Sequence, residues 1–382
     1  MELLFASDEF EIHGVSYPGF PLIFDRHMDL VCEAFDFLVK YCIKRGRVQS
    51  AHSWKAYGQS IYDFLSFLEV NNEWDWRNTN LNRDDTILVS YRDWSLGTLG
   101  LKPSTVNFRL RIINAFYRHA LLKGWISSLP YQLERVVVKQ AKGFLVHTSS
   151  KGNSMLSPDV MLKSHGARIR VLNLVQIKQF LSAVKNPTQK LIARLAVQAG
   201  LRKDELVTFP VKYIRSPRSL TDVSSHISVE LNPADMHTKG SKARTIHVPL
   251  GLMADLWEYV LHERNKLEKQ SGMKQAQLFL NRFGHPYAHG GLSLNKLWNN
   301  LELPFKVFPH ILRHSYATHT LSELRKKKDC GVDPLMYVRN RLGHSSILTT
   351  QKYLHFLDDI DDDLMNDFQA EIDRFSMGSA DE

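Results

Sequence analysis

The periodicity of apolar residues breaks once along this chain, and the break constrains the fold more than any other feature. Apolar side chains recur at helical spacing from residue 26 to about 127, lose that spacing, and regain it from Val171. The stretch between holds Lys139, Lys142, Ser149, Ser150, Lys151, Gly152, Asn153 and Ser154. It reads as a basic interdomain linker, either a plain loop or a strap along a polyanion. A chain so divided must close two separate cores. Its 382 residues, 43% of them hydrophobic, supply enough apolar surface for both. The expected division is an N-terminal extension over 1–25, a helical domain over 26–127, the linker over 128–170, a second domain over 171–357 and an acidic tail over 358–382.

In the helical domain, Met28, Val31, Cys32, Phe35, Leu38, Val39 and Cys42 form one stripe, and Trp54, Tyr57, Ile61, Phe64, Leu65 and Leu68 a second. Asp84 or Asp85 is a candidate cap for a third helix carrying Ile87, Leu88, Tyr91 and Trp94. A fourth starts at Pro103–Ser104, buries Val106, Leu110, Ile113, Phe116, Tyr117 and Ala120, and stops at Gly124. Short polar joints between four helices predict a small bundle. In the second domain, helices are expected over Val175–Val184 and Leu191–Ala199, ending at Gly200, and again from Leu252, Leu292, Pro309 and Pro334. The alternating stretches HISVEL and RTIHVP flank Lys239-Gly240-Ser241-Lys242 and predict a β-hairpin.

Charge narrows the partner. There are 49 Lys and Arg against 40 Asp and Glu, a formal charge of +9. Ten acidic residues and Arg374 make the segment from Asp358 onward −9, so residues 1–357 carry +18. A body this basic suits a polyanion, nucleic acid before an anionic membrane. No basic amphipathic helix supports membrane binding, and no apolar run is long enough to span a bilayer. The acidic N-terminus lacks the pattern of a signal peptide, so an intracellular, cytoplasmic protein is expected. Cys32, Cys42 and Cys330 show no CxxC spacing, which argues against zinc and fits a reducing compartment.

Four segments of the second domain carry chemistry-bearing residues. In Ala199-Gly200-Leu201-Arg202-Lys203-Asp204-Glu205-Leu206, Arg202 stands at a helix junction, and Glu205 is placed to hold its guanidinium. Lys239 stands at the hairpin turn. In Pro309-His310-Ile311-Leu312-Arg313-His314, His310 and Arg313 share a helix face. In Leu342-Gly343-His344-Ser345-Ser346, Gly343 closes one helix, His344 sits in the joint, and Ser345 or Ser346 caps a helix that carries Tyr353 two turns on. Each residue alone reads most simply as a surface pair, a solvated turn or core packing.

Together the stretches AGLRKDEL, HTKGSKARTIHVPL, HILRHSYATH and LGHSSILTTQKYLH resemble the tyrosine recombinase (phage integrase) family, and Ser104–Leu110 through Trp125 and Ile126 resemble the family's DNA-clamping helix. The resemblance covers about residues 26–356 apart from the linker. It implies a mainly α fold with a small antiparallel β-sheet, in which a helical core-binding (SAM-like) domain joins a mixed α+β catalytic domain of the DNA breaking-rejoining fold. It implies a site-specific recombinase that cuts and rejoins double-stranded DNA through a 3′-phosphotyrosyl intermediate, and integration or excision of a mobile element is favoured.

Tyr353 is then the nucleophile. Its hydroxyl pKa is about 10 in water, so nearby cations must help it ionise. Arg202 and Arg313 offer planar forks to the non-bridging phosphate oxygens. His344 donates to the same phosphate, His310 accepts or relays the tyrosine proton, and Lys239 protonates the leaving 5′ oxygen. Two guanidinium groups and Lys239 carry the charge, so no metal or cofactor is implied. Arg202 to Lys239 is longer than in most relatives, through Ile214–Leu220, which leaves Lys242 as the alternative acid. Arg325–Cys330 likewise lengthens the interval from Arg313 to His344. Lys55, Arg109, Arg111 and Arg118 are candidate DNA contacts, or ordinary solvated helix faces. Ile360, Leu364, Phe368, Ile372 and Phe375 form an apolar stripe in the acidic tail, placed either on its own domain or on a neighbouring protomer of a tetramer assembled on DNA. An accessory DNA-bending factor is a further implied partner. A type IB-like topoisomerase and a catalytically silent DNA-binding protein are the competing readings; strand relaxation and a covalent adduct discriminate them.

Overall fold

The computed structural model describes residues 1–46, 50–71, 74–79, 86–137, 154–163, 169–217, 225–327 and 331–354. The chain divides into two compact units, Met1–Gly166 and Ala167–Glu382. It is mainly helical, with two-stranded antiparallel sheets.

In the first unit, β1 (Glu2–Phe5) pairs with β4 (Pro21–Phe24), and β2 (Glu11–Ile12) with β3 (Val15–Ser16). Phe20 and Ile23 are buried in the same core as the helices. Residues 1–25, expected as an extension, thus help to close this unit. Alternating Leu3, Phe5 and Ile23 were too few to stand out as strands.

The helices follow the apolar stripes. They are α1 (Cys32–Leu38), α2 (Ala51–Val70), α3 (Ile87–Gly97) and α4 (Pro103–Leu122). Trp54, Ile61, Phe64, Leu65, Leu110, Ile113, Phe116 and Tyr117 are all buried. Met28 departs from its stripe: it has a φ of 65° in a turn before α1 and is exposed. After Leu38 the helix widens into a π turn over Val39–Lys44. The cap of α3 is Thr86, whose hydroxyl accepts from the Val89 amide; Asp84 and Asp85 lie outside the described residues. Gly124 follows the end of α4, where its amide donates to the Leu121 carbonyl and that of Trp125 to Ala120. These two bonds are a Schellman closure.

Part of the expected linker also folds here. β5 (Leu133–Val137) pairs antiparallel with β6 (Ser154–Pro158). Asn107 of α4 donates to the Leu162 carbonyl at 2.8 Å and accepts from the Leu162 amide at 2.9 Å. Tyr131 and Val160 are buried in the first core. The described residues of β5 and β6 are largely exposed on both faces, so no alternating pattern marked them in sequence. Residues 138–153, the most basic part of the linker, lie outside the described residues.

The second unit is built around α6 (Pro187–Ala199), buried on nearly every side from Ile192 to Ala199. α5 (Leu174–Ala183) opens the unit with a capping box in which Asn173 and Gln176 exchange hydrogen bonds. α7 (Lys203–Val207) follows α6 directly. β7 (His226–Leu231) and β8 (Arg244–Pro249) form the expected hairpin, with Leu231 opposite Arg244. α8 (Leu250–Tyr259), α9 (Asn265–Ser271) and α10 (Leu292–Asn299) come next. α11 (Pro309–Lys326), α12 (Pro334–Leu342) and α13 (Ile347–Gln351) complete the described elements. A separate small core joins Tyr316, Ala317 and Leu321 of α11, Val338 and Leu342 of α12, and Tyr353. The acidic tail and its apolar stripe lie outside the described residues. Among the described residues no helix is long and apolar enough to cross a membrane.

Candidate active site

The end of α12 organises the site. Gly343 has a φ of 63°, and the amides of Gly343 and His344 turn back to the carbonyls of Asn340 and Arg339. That closure leaves the carbonyls of Arg341 and Leu342 without helical donors. Arginines take their place. Arg244 Nε donates to Arg341 O at 3.0 Å. Arg313 Nη2 donates to Leu342 O at 2.5 Å, and Arg202 Nη2 to the same oxygen at 3.3 Å. Arg313 Nη1 donates to Gly200 O, at the end of α6, at 2.6 Å. Two helix C-termini, with their partial negative charge, therefore hold three guanidinium groups together.

Glu205 supplies the remaining countercharge. Its carboxylate accepts from Arg202 Nη1 at 3.0 Å and from Arg244 Nη1 and Nη2 at 2.7 and 2.5 Å, a bidentate pair. It also accepts from the Arg202 amide at 2.7 Å. Burial alone would raise this carboxyl. The hydrogen bonds and charge of Arg244, then Arg313 and Arg202, outweigh it and hold the group down to about 2. Burial and then Arg202 push the Arg313 guanidinium down to about 9, so it stays charged at neutral pH. Three cations against one carboxylate leave a fixed excess of positive charge, oriented before any anion arrives.

Tyr353 lies beside this cluster and is 2% exposed. It follows the five-residue α13, in a turn closed by its amide on the Thr350 carbonyl, rather than two turns inside a helix. Ser346 caps α13. Burial raises the Tyr353 hydroxyl, while Arg313 and then Arg202 pull it back down. Two histidines, His314 and His344, lie against its ring, and a third, His310, lies against His314. His314 Nδ1 is 2.9 Å from the Tyr353 hydroxyl. His344 stacks on the Tyr353 ring at 6.3 Å, 15° from parallel, and its Nδ1 is 3.0 Å from the buried Thr350 hydroxyl. His310 is exposed, and its ring lies 4.1 Å from that of His314. Burial and then nearby cations, Arg313 first, depress His344 to about 4; partial loss of hydration, then Arg313, Arg202 and Lys239 lower His310, although much of its surface stays open to solvent. His314 is lowered as well, by burial first, so all three rings are favoured as neutral groups at pH 7.

The structure brings Arg202, Glu205, Arg313, His310, His344 and Tyr353 to one place. Lys239 and Lys242 are exposed on the long β7–β8 loop and line a cleft of about 610 Å³ with Arg202, Arg244, Arg339, Arg341 and His344. Among the described residues no Asp or Glu lines that cleft. Lys239 occupies a tight turn in which the Ser241 amide donates to the Thr238 carbonyl. Sequence reasoning assigned no role to Arg244 or His314. The cations predicted in the helical domain sit in the first unit. Arg111 and Arg118 are exposed on α4, and Lys55 Nζ lies 4.5 Å over the Phe5 ring. Arg109 is largely withdrawn, in a 2.7 Å ion pair with Asp63 at 18% exposure.

Residues 170–359 match the model of the phage integrase family. The chain belongs to that family and is a tyrosine recombinase. It is 26% identical to transposase A from transposon Tn554 of Staphylococcus aureus over 386 residues, covering 95% of this chain and 97% of the relative. It is 27% identical to tyrosine recombinase XerD of Listeria monocytogenes over 334 residues, covering 84% and 92%. The fold is shared with the Tn1549 transposon integrase, solved with a circular intermediate DNA: TM-score 0.54 at 18% identity, covering 84% of this chain and 94% of that one.

Proposed function

We propose that this recombinase cleaves and rejoins double-stranded DNA through a 3′-phosphotyrosyl bond to Tyr353, in the service of a mobile element. The observation that carries this reading is that Arg202 and Arg313 donate to one carbonyl, Leu342 O, and so stand side by side at Tyr353. Guanidinium pairs suit the two non-bridging oxygens of a phosphodiester, and fixed cations stabilise the charge that develops as phosphorus becomes five-coordinate. Glu205 and Arg244 hold that pair in position. His344, its ring fixed by Thr350, donates to the same phosphate. Lys239 protonates the leaving 5′ oxygen, with Lys242 on the same loop as the alternative. Two arginines and a lysine supply the charge a metal would otherwise provide.

Lys55, Arg111 and Arg118 contact the DNA backbone from the first unit. Protomers assemble as a tetramer on DNA, the acidic tail from Asp358 docking on a neighbour, with an accessory bending factor where the site requires one. Similarity to a transposase over nearly the whole chain supports the mobile-element role.

The test is capture of DNA left covalently attached after denaturation, from a fragment library of the protein's own genetic neighbourhood. Wild-type protein should yield adducts at a discrete site, and Tyr353→Phe none. Adducts that persist in Tyr353→Phe would remove Tyr353 as the nucleophile.

A further inference from the structure

We propose that His314 is a further catalytic residue of this site, the group that accepts the phenolic proton of Tyr353 as its oxygen bonds to phosphorus. The inference rests on the phosphotyrosyl reading and deepens it. Three histidines gather at the site, and their geometry toward Tyr353 is not equivalent. His344 presents its ring face and has its Nδ1 committed to Thr350. His310 is exposed at the outer side of His314. His314 alone of the three has a nitrogen within hydrogen-bond distance of the reacting oxygen, 2.9 Å from it. Its ring is tilted 54° to that of Tyr353, with the centres 5.5 Å apart.

The site keeps His314 available as an acceptor. Burial is the largest influence, and the charged or titratable groups around it act in the same direction: His310 and Arg313 on its own helix α11, His344 from the α12–α13 joint, and Lys352 beside Tyr353. A neutral ring has a lone pair for the phenol. The same surroundings make it a reluctant base while the site holds only cations. A phosphodiester between Arg202 and Arg313 brings negative charge into that field, so the proton affinity of His314 rises when the substrate is present. Proton transfer is thereby tied to occupancy of the arginine pair.

The step balances. The Tyr353 Oη–P bond forms as the P–O5′ bond breaks. The phenolic proton passes to His314 Nδ1, and the departing O5′ takes a proton from the general acid, Lys239 in the proposed reading. Religation runs the same transfers backward, His314 returning the proton to Tyr353. His310, ring to ring with His314, lies on the side from which water exchanges that proton.

A substrate with sulfur in place of the bridging 5′ oxygen separates the two proton transfers. A thiolate leaves without protonation, so such DNA bypasses the general acid but still requires a deprotonated tyrosine. The probe is a duplex carrying the captured site, in oxygen and in 5′-sulfur form, in single-turnover adduct formation. His314→Ala removes the ring. His314→Asn keeps a hydrogen-bond acceptor near Nδ1 that takes up no proton. Both variants should bind the duplex and form adduct about 100-fold more slowly than wild type on the oxygen and sulfur substrates alike. Lys239→Ala, by contrast, should recover on sulfur. Recovery of either His314 variant on the sulfur substrate, or a wild-type rate in His314→Asn, would overturn proton acceptance by His314. Absence of any wild-type adduct would instead remove the phosphotyrosyl reading, and this inference with it.

Discussion

Glu205 is 1% exposed and the only carboxylate in hydrogen-bond contact with the arginine cluster among the described residues. Its importance follows from what it neutralises. Arg202 and Arg244 both lean on it, and Arg313 feels its charge without touching it. Removing one member of a buried charged set leaves the others uncompensated, at a cost of about 3–5 kcal/mol. Glu205→Gln should therefore lower the unfolding free energy by about 3 kcal/mol, read from a urea titration. It should also slow adduct formation, because the amide turns a donor toward Arg244. A variant as stable as wild type would mean that the carbonyls of Gly200, Arg341 and Leu342 carry the guanidinium groups unaided. Arg244 shows what a closer reading of the sequence could have caught. It shares a strand face with Ile246 and Val248, both buried. A cation on the inward face of a strand must meet an acid, and Glu205 was the acid to hand. No spacing rule pointed to His314, because its partner Tyr353 is 39 residues away.

At the scale of elements, the site depends on how α12 ends. An alanine Cβ at position 343 would lie 2.8 Å from Arg244 Cδ, in a backbone conformation that already disfavours side chains. Gly272, at the end of α9, has a similar φ of 68° but open space around it. The two glycines separate conformational cost from displacement of Arg244. Gly343→Ala and Gly272→Ala should each lose about 1–2 kcal/mol of stability, while only Gly343→Ala should lose adduct formation. Equal activity in the two variants would detach the α12 closure from the chemistry. Elements of this kind were legible where they carried punctuation. Pro309, Pro334, Gly200 and Gly343 each sit at the predicted helix boundary. Those without it were missed: β5 and β6 lack a buried face, and the short strands of residues 1–25 are defined by long-range pairing that local sequence does not encode. The Ser345 or Ser346 cap places Tyr353 two turns into a helix, but α13 stops at Gln351 and Tyr353 sits in the turn beyond it, packed in the small core of α11 and α12.

At the scale of the whole molecule, half-buried histidines make the second unit sensitive to acid before the first. His247, His314 and His344 are depressed from 6.5 to about 4, 3 and 4, each by burial first and then by neighbouring positive groups. Unfolding returns them to ordinary histidines, so between about pH 4 and 6.5 the unfolded chain binds more protons than the folded one. Their contribution to stability is complete above 6.5 and is lost as pH falls through the folded values. Glu205 adds a second loss, beginning below its unfolded value of 4.5 and extending toward 2. In the first unit, Asp25 and Asp36 are both held below 3.8, and their contribution is lost only at more acid pH. Hydrogen exchange, corrected for the intrinsic rate, should therefore show protection of α6 amides falling between pH 7 and 5. A variant with His247, His314 and His344 all replaced by Gln should show a flatter profile over the same range. A fall of the same size in that variant would place its origin outside these histidines. DNA offers a second check on the same groups: an anion at the arginine pair offsets the positive field that lowers His314 and His344. Bound duplex should move the onset of the loss to lower pH by mass action, and raise the proton affinity of the two rings within the complex.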